Sequence, residues 1–296
     1  MSNSLVVTAL ARCFLAGSPV VDDMVDLAAQ TLGVRWRWLP ALARHCVQNF
    51  PPDARPRERD VTQFLLQDQT LSQELSRKSP RLRVAHWVPL PRVTRPVDAA
   101  AAWDLPPLPT IVALAAWLRV QVSELEWLSD PCCIAEEANF RLGHYHYQAT
   151  LKRSGAIRLI EAPKARIKTP QRKILNSTLD RIPAYPAVHG FVRGRSIQTF
   201  VLPHVGRPVV LRMDVRDFFP SFTVARARAF FRTAGYGESV AHSLGGLCTH
   251  SVPRALWNHL PLDVAPVQLR ENAGMYEIRH LPQGAPTSPA LANICS

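Results

Sequence analysis

The chain has 296 residues, 47% of them hydrophobic and 20% charged, with 35 Lys+Arg against 23 Asp+Glu and a formal net charge of +12. That composition excludes wholesale disorder, and the sparse glycines (13) show no period, which excludes collagen-like and simple repeat architectures. No apolar run approaches the roughly 18 residues of a membrane span, and no basic segment precedes an apolar one at the start, so the expectation is a cytoplasmic chain with no membrane partner.

From the first residue onward, the pattern is helical. Val20, Val21, Met24, Val25, Leu27 and Ala28 recur at helical spacing behind Asp22 and Asp23, acids suited to a helix N-terminus. Val34–Val47 predicts a second helix, stopped by Pro51, Pro52 and Pro56, and 61–76 a third. From 79 to 109 the chain is punctuated by prolines and reads as a linker. Residues 110–130 predict a short helical pair, the second opened by Ser123 as candidate N-cap. Residues 1–100 show no chemistry.

Tyr145–Lys152 alternates and is rich in aromatics, Arg153–Ala156 is turn chemistry, and Ile157–Ile160 returns. This predicts a hairpin with Lys152 and Arg153 at its tip and Arg158 on the returning strand. Lys164, Arg166 and Lys168 follow, and Thr169–Pro170 opens a helix running to about Ile182.

The charge is concentrated. Residues 1–150 carry 15 basic and 15 acidic side chains, 151–200 carry 11 and 2, and 201–296 carry 9 and 6. A focused positive field draws polyanions, so nucleic acid is the first candidate partner. The six cysteines, at 13, 46, 132, 133, 248 and 295, form no C-x-x-C pair, and the ten histidines show no metal-ligand spacing.

Three constellations carry chemistry. Val209–Met213 suits a buried strand, which would put Asp214 on a sheet rim, and Asp217 follows before Phe218-Phe219-Pro220-Ser221. A carboxylate on such a rim can reach Mg²⁺, and two such ions clamp the attacking and leaving oxygens of a phosphoryl transfer. Taken alone, the two aspartates read first as a helix cap and a surface pair. Leu281–Pro289 holds Gln283, an amide donor and acceptor, and Gly284, which lets backbone approach closely, before Thr287-Ser288-Pro289 opens a helix. His189-Gly190-Phe191-Val192-Arg193-Gly194-Arg195-Ser196 combines glycines, arginines and an aromatic ring, which suits a nucleic-acid backbone contact with stacking.

Together these segments resemble the reverse transcriptase family, and within it the bacterial retron-type enzymes. Lys152…Gly155…Arg158…Ile160, Lys168…Gln171–Leu175, His189-Gly190-Phe191…Gly194-Arg195-Ser196, Asp214…Asp217–Ser221 and Leu281–Pro289 stand in the family's order. Where retron enzymes show Asn-Ala-x-x-His, this chain reads Phe200–His204 and keeps only the histidine.

The resemblance implies an α+β fold. It comprises fingers over 110–205 and a partial palm over 206–296 of a right-hand polymerase, preceded by a helical extension over 1–100. It implies RNA-directed DNA synthesis by two-metal nucleotidyl transfer with Mg²⁺, with template RNA or a structured non-coding RNA, primer, cDNA and deoxynucleotide as partners. A role in anti-phage defence is a further expectation. Asp214 resembles the family's first catalytic metal aspartate, and the Val215 carbonyl a further metal ligand. Lys152, Arg158, Asp217, Phe219, Gln283 and Gly284 fall in the incoming nucleotide's contacts, with Phe219 at the steric gate. Lys164, Lys168, Arg172, Gly190, Arg193 and Arg195 fall on the nucleic-acid face.

The family's Tyr-x-Asp-Asp motif is not in the sequence, nor is a thumb. The expectation is therefore a truncated or split portion, inactive alone and competent with a second polypeptide carrying the missing palm and thumb. The alternative is a non-catalytic nucleic-acid-binding protein derived from the fold. Poor solubility or oligomerisation of the isolated chain is also expected.

Overall fold

The computed structural model describes residues 3–17, 19–51, 54, 56–77, 82–87, 96–130, 143–152, 157–257 and 273–295. It is mixed helix and strand, with a single two-stranded sheet among these residues. The chain divides into two compact units.

The first unit comprises residues 1–97, 107–114 and 235–240. Its helices are α1 (Asn3–Ala16), α2 (Val21–Leu32), α3 (Leu39–Asn49), α4 (Glu58–Gln67) and α5 (Gln69–Ser76). Their apolar faces meet in a core that fully buries Leu10, Leu39, Leu42, Leu65 and Leu71, each worth roughly 1.5–3 kcal/mol against exposure. Asp22 and Asp23 occupy the first turn of α2, and Gly33 closes it at φ +72°. The helix expected over Val34–Val47 begins only at Leu39, because Pro40 fits the first turn of a helix and not its interior. The helix expected over 61–76 is broken at Asp68, whose carboxylate accepts from the Leu71 N–H at 3.0 Å and so caps α5.

The second unit comprises 98–106, 115–234 and 241–296. The one-turn α6 (Asp98–Ala101) comes first, then α7 (Ile111–Leu118), which runs into this unit, and α8 (Val122–Ser129). Helix α8 starts one residue before Ser123, with Gln121 at its N-cap and no side-chain cap, so Ser123 lies inside the helix. Antiparallel β1 (Tyr145–Leu151) and β2 (Ile157–Pro163) form the expected hairpin, with Leu151 opposite Ile157 and Thr150 opposite Arg158. Its turn, with Arg153, lies outside the described residues, as do Cys132 and Cys133.

Helix α9 (Ala165–Ser177) begins four residues before the expected Thr169 and holds Pro170 inside. One backbone donor is lost there, while the Thr169 hydroxyl donates to the Ala165 carbonyl at 3.1 Å. Then come α10 (Ile197–Val201), α11 (Phe218–Ser221), α12 (Val224–Thr233), α13 (Glu238–Cys248), α14 (Arg254–Trp257) and a last described helix, Ser288–Cys295. The hairpin's inner face packs Ile157 and Leu159 against Val252, Leu256, Trp257 and Tyr276.

The main correction concerns Val209–Met213. It is not a buried strand: Val209, Leu211 and Met213 are 83%, 78% and 83% exposed, and the run is neither helix nor strand. An apolar run becomes a strand only when neighbouring backbone completes its ladder. Among the described residues nothing does so for 208–216.

Candidate nucleotide and nucleic-acid site

The site is built around one short segment, 279–284, threaded between other elements. His280 forms antiparallel bridges to Thr223 on one side and His250 on the other. The Leu281 N–H donates to the Phe222 carbonyl at 3.0 Å, and the Val224 N–H to the Arg279 carbonyl at 2.9 Å. The Glu161 N–H of β2 donates to the Gln283 carbonyl at 2.9 Å. The Pro-Gln-Gly turn is thereby fixed to the hairpin and to the segment after α11. Gly284 is what makes this approach possible: its φ is +140°, and a Cβ there would lie 2.9 Å from the Glu161 carbonyl oxygen. Behind it the Ser288 hydroxyl donates to the Pro282 carbonyl at 2.8 Å, so this serine braces the turn.

At the hairpin's open end, Lys152 Nζ lies 3.1 Å from Asp217 Oδ1, and Arg216 Nε lies 3.2 Å from Asp217 Oδ2. Asp217 itself adopts a left-handed conformation (φ 50°) that aspartate tolerates. Phe219 is half-buried, its neighbour Phe218 edge-on at 5.6 Å. Arg158 faces solvent on β2. Of the expected nucleotide contacts, the structure links Lys152 with Asp217 and ties Gln283 and Gly284 to β2. Asp214 and Val215 stand on the exposed run.

Lys164 stands at the N-cap of α9, and Lys168 and Arg172 follow at intervals of four along one helical row. Gly190 and Arg193 are exposed, and the Gly190 carbonyl accepts from the Asn293 amide at 2.8 Å. Arg195 is half-buried and turned inward: its guanidinium donates to the Val188 carbonyl at 2.5 Å and to that of Pro186. It braces its own loop, whereas Arg193 faces outward.

The Mg²⁺ expectation can be tested against the donor set. Among the described residues no three His, Cys, Asp or Glu side chains group as metal ligands. Asp217 is engaged by two cations, which leaves Asp214 and one backbone carbonyl. Those donors do not make up a site for a divalent ion, which takes several oxygen ligands.

Sequence reasoning missed the polar cluster beneath the turn. Glu161 is fully buried on β2, and its Oε2 accepts from His280 Nε2 at 3.1 Å and from the Gln283 N–H at 3.3 Å. His280 Nδ1 lies 2.6 Å from the Ile278 carbonyl. Burial alone would depress the His280 pKa; the bond to Glu161, its charge and the Ile278 carbonyl outweigh this and leave it raised. Nearby His250 stacks on Tyr145 at 4.1 Å, and its Nε2 lies 2.6 Å from the Tyr147 hydroxyl. Burial, with the charge of Arg279, holds His250 well below the ordinary histidine pKa. Burial first and then Glu161 push both Tyr145 and Tyr147 up. The signal was available: the period-2 alternation of Ile157, Leu159 and Glu161 puts an acid on the buried face.

No family profile matches the chain. Comparison with known proteins finds similarity to the retron Mx65 reverse transcriptase of Myxococcus xanthus, 42% identical over 193 residues, covering 65% of this chain and 42% of that protein. The retron Mx162 reverse transcriptase of the same organism is 37% identical over 196 residues, 66% of this chain and 38% of the relative. The retron Ec86 reverse transcriptase of Escherichia coli is 30% identical over 163 residues, 54% of this chain and 41% of the relative. The chain thus spans about two fifths of the length of the relatives it matches. Through that shared stretch the chain is related to the retron-type reverse transcriptases.

Proposed function

We propose that this chain is the fingers (110–205) and part of the palm (206–296) of an RNA-directed DNA polymerase of retron type. The observation that carries the reading is the docking of the Pro-Gln-Gly turn on β2 through the Glu161–Gln283 backbone bond, in a chain 42% identical to a retron reverse transcriptase over 193 residues. In this reading Lys152 and Arg158 meet the triphosphate of the incoming deoxynucleotide, Phe219 excludes a ribose 2′-hydroxyl, and Gln283 touches the nucleotide beside its sugar. Lys152 exchanges Asp217 for phosphate when nucleotide binds. Lys164, Lys168, Arg172 and Arg193 face the template or a structured RNA. What these residues contribute is orientation and electrostatic complementarity to a polyanion. Asp214 and the Val215 carbonyl would be part of a Mg²⁺ site that the donors among the described residues do not complete.

Primer extension on an RNA template with deoxynucleotides and Mg²⁺ tests this. The chain is assayed alone and mixed with a polypeptide carrying the Tyr-x-Asp-Asp palm and thumb of a retron enzyme, with Asp214→Ala as control. Synthesis in the mixture, lost in the variant, is the expected result. A second reading, nucleic-acid binding without chemistry, is favoured by the lack of a metal-ligand group among the described residues. Salt-sensitive RNA binding without synthesis in either arm would establish it.

A further inference from the structure

We propose that Glu161 and His280 are positioning residues: their buried pair latches the Gln283–Gly284 turn onto β2, and the latch loosens when His280 loses a proton. The consequence for nucleotide contact rests on the reading above; the latch itself does not.

The argument is one of donors and acceptors. Both ring nitrogens of His280 face oxygen, Nε2 the Glu161 carboxylate at 3.1 Å and Nδ1 the Ile278 carbonyl at 2.6 Å. Only the doubly protonated ring can donate to both. Both side chains are fully buried, so each charge depends on the other. The same carboxylate oxygen accepts from the Gln283 N–H, while the other, Oε1, is buried with no hydrogen-bond partner among the described residues. A neutral His280 can donate from only one nitrogen. Whichever nitrogen keeps its proton, the charge that balanced the carboxylate is lost, and the carboxylate gains water most cheaply if the turn lifts off the strand.

The surroundings sharpen this. Tyr145 and Tyr147 come from β1, His250 from its bridge, and Tyr276 and Arg279 from the segment before His280. Burial and Glu161 push the tyrosines up, Tyr276 to about 12, and His250 is held neutral. The Arg279 guanidinium is spent on the carbonyls of Ser129, Asp130, Gly246 and Thr249. Of the two histidines in this cluster, His250 is pushed down and His280 up. The His280 pKa is raised on folding, so the latch is complete below the ordinary histidine value and weakens as pH rises through the raised one.

Hydrogen exchange of the 281–287 amides, corrected for intrinsic rates, reads the latch in the full chain. Between about pH 6 and about pH 9 protection is expected to fall about tenfold, while α9 stays protected. Glu161→Gln and His280→Gln should each abolish that pH dependence. A flat profile in the unaltered chain, or an unchanged slope in both variants, overturns the latch. Should the variants fail to fold, ¹⁵N-imidazole spectra of the unaltered chain decide: a His280 ring whose protonation does not change between about pH 6 and about pH 9 overturns it. Binding of dATP is measured in parallel, with Mg²⁺ and the complementing palm-and-thumb polypeptide present. A pH-dependent turn with no dATP binding at any pH supports the latch and overturns the nucleotide reading.

Discussion

At Gly284 the backbone φ is +140°, and the nearest atom to a would-be Cβ is the Glu161 carbonyl oxygen at 2.9 Å, part of a rigid strand. Gly284→Ala therefore combines an unfavourable dihedral with a clash against backbone that cannot swing away. A loss of about 1–3 kcal/mol is expected, read as a lower urea midpoint at unchanged m. Asp214 is the opposite case. Its side chain is exposed, so Asp214→Ala should change stability by less than about 0.5 kcal/mol, yet it should abolish synthesis in the complemented primer-extension assay. Glu161→Ala leaves the His280 charge buried without its partner and should cost about 3–5 kcal/mol. Lys152→Ala removes a partly exposed pair and should cost under about 1 kcal/mol. Chemical denaturation of the set checks the ranking. Sequence alone marked Gln283, Gly284 and Asp214 because their residue types are unusual in place. Glu161 is not among them because the return strand read from sequence stops at Ile160, one residue before the alternation reveals an acid facing inward.

Elements were legible where local chemistry decides them. The hairpin follows from alternation and turn residues, and it forms with Leu151 opposite Ile157. Asp22 and Asp23 mark the start of α2 correctly. Boundaries went astray where a single residue acts in context. Asp68 interrupts a helical pattern because its carboxylate captures the Leu71 N–H. Pro170 sits within α9 instead of opening it. Val209–Met213 failed for a different reason: strand formation is non-local, and apolar composition cannot state whether a neighbouring strand is present. Helix α9 also carries a functional test. Lys168 and Arg172 share a helical row, and each phosphate neutralised by such a side chain releases counterions. The double variant Lys168→Ala/Arg172→Ala should flatten the slope of log K against log salt for single-stranded RNA by about 0.7 per lost contact. An unchanged slope would remove these two residues from the nucleic-acid face.

Over the whole molecule, charge and apolar exposure coincide in the second half of the sequence. All of the net +12 arises from residues 151–296. The same stretch exposes Val209, Leu211 and Met213 with no strand beside them among the described residues; Arg212 stands within that run, and Arg207 and Arg216 flank it. Exposed apolar backbone with free hydrogen-bonding groups is a template for pairing with another chain. Like charges on two such chains oppose it, and salt screens that repulsion within a Debye length of about 8–10 Å at moderate ionic strength. Salt should therefore act in opposite senses on two associations of one molecule. RNA binding weakens as salt rises, because counterion release is lost. Self-association strengthens, because repulsion is screened while burial of the apolar run is not. Light scattering of the isolated chain across a salt series should show mass rising with salt. The double variant Leu211→Ser/Met213→Ser should stay monomeric while its circular dichroism is unchanged, since neither side chain is part of a core. A monodisperse monomer at every salt concentration in the unaltered chain would show that the run is already satisfied, and the same scattering from both proteins would place the contact elsewhere.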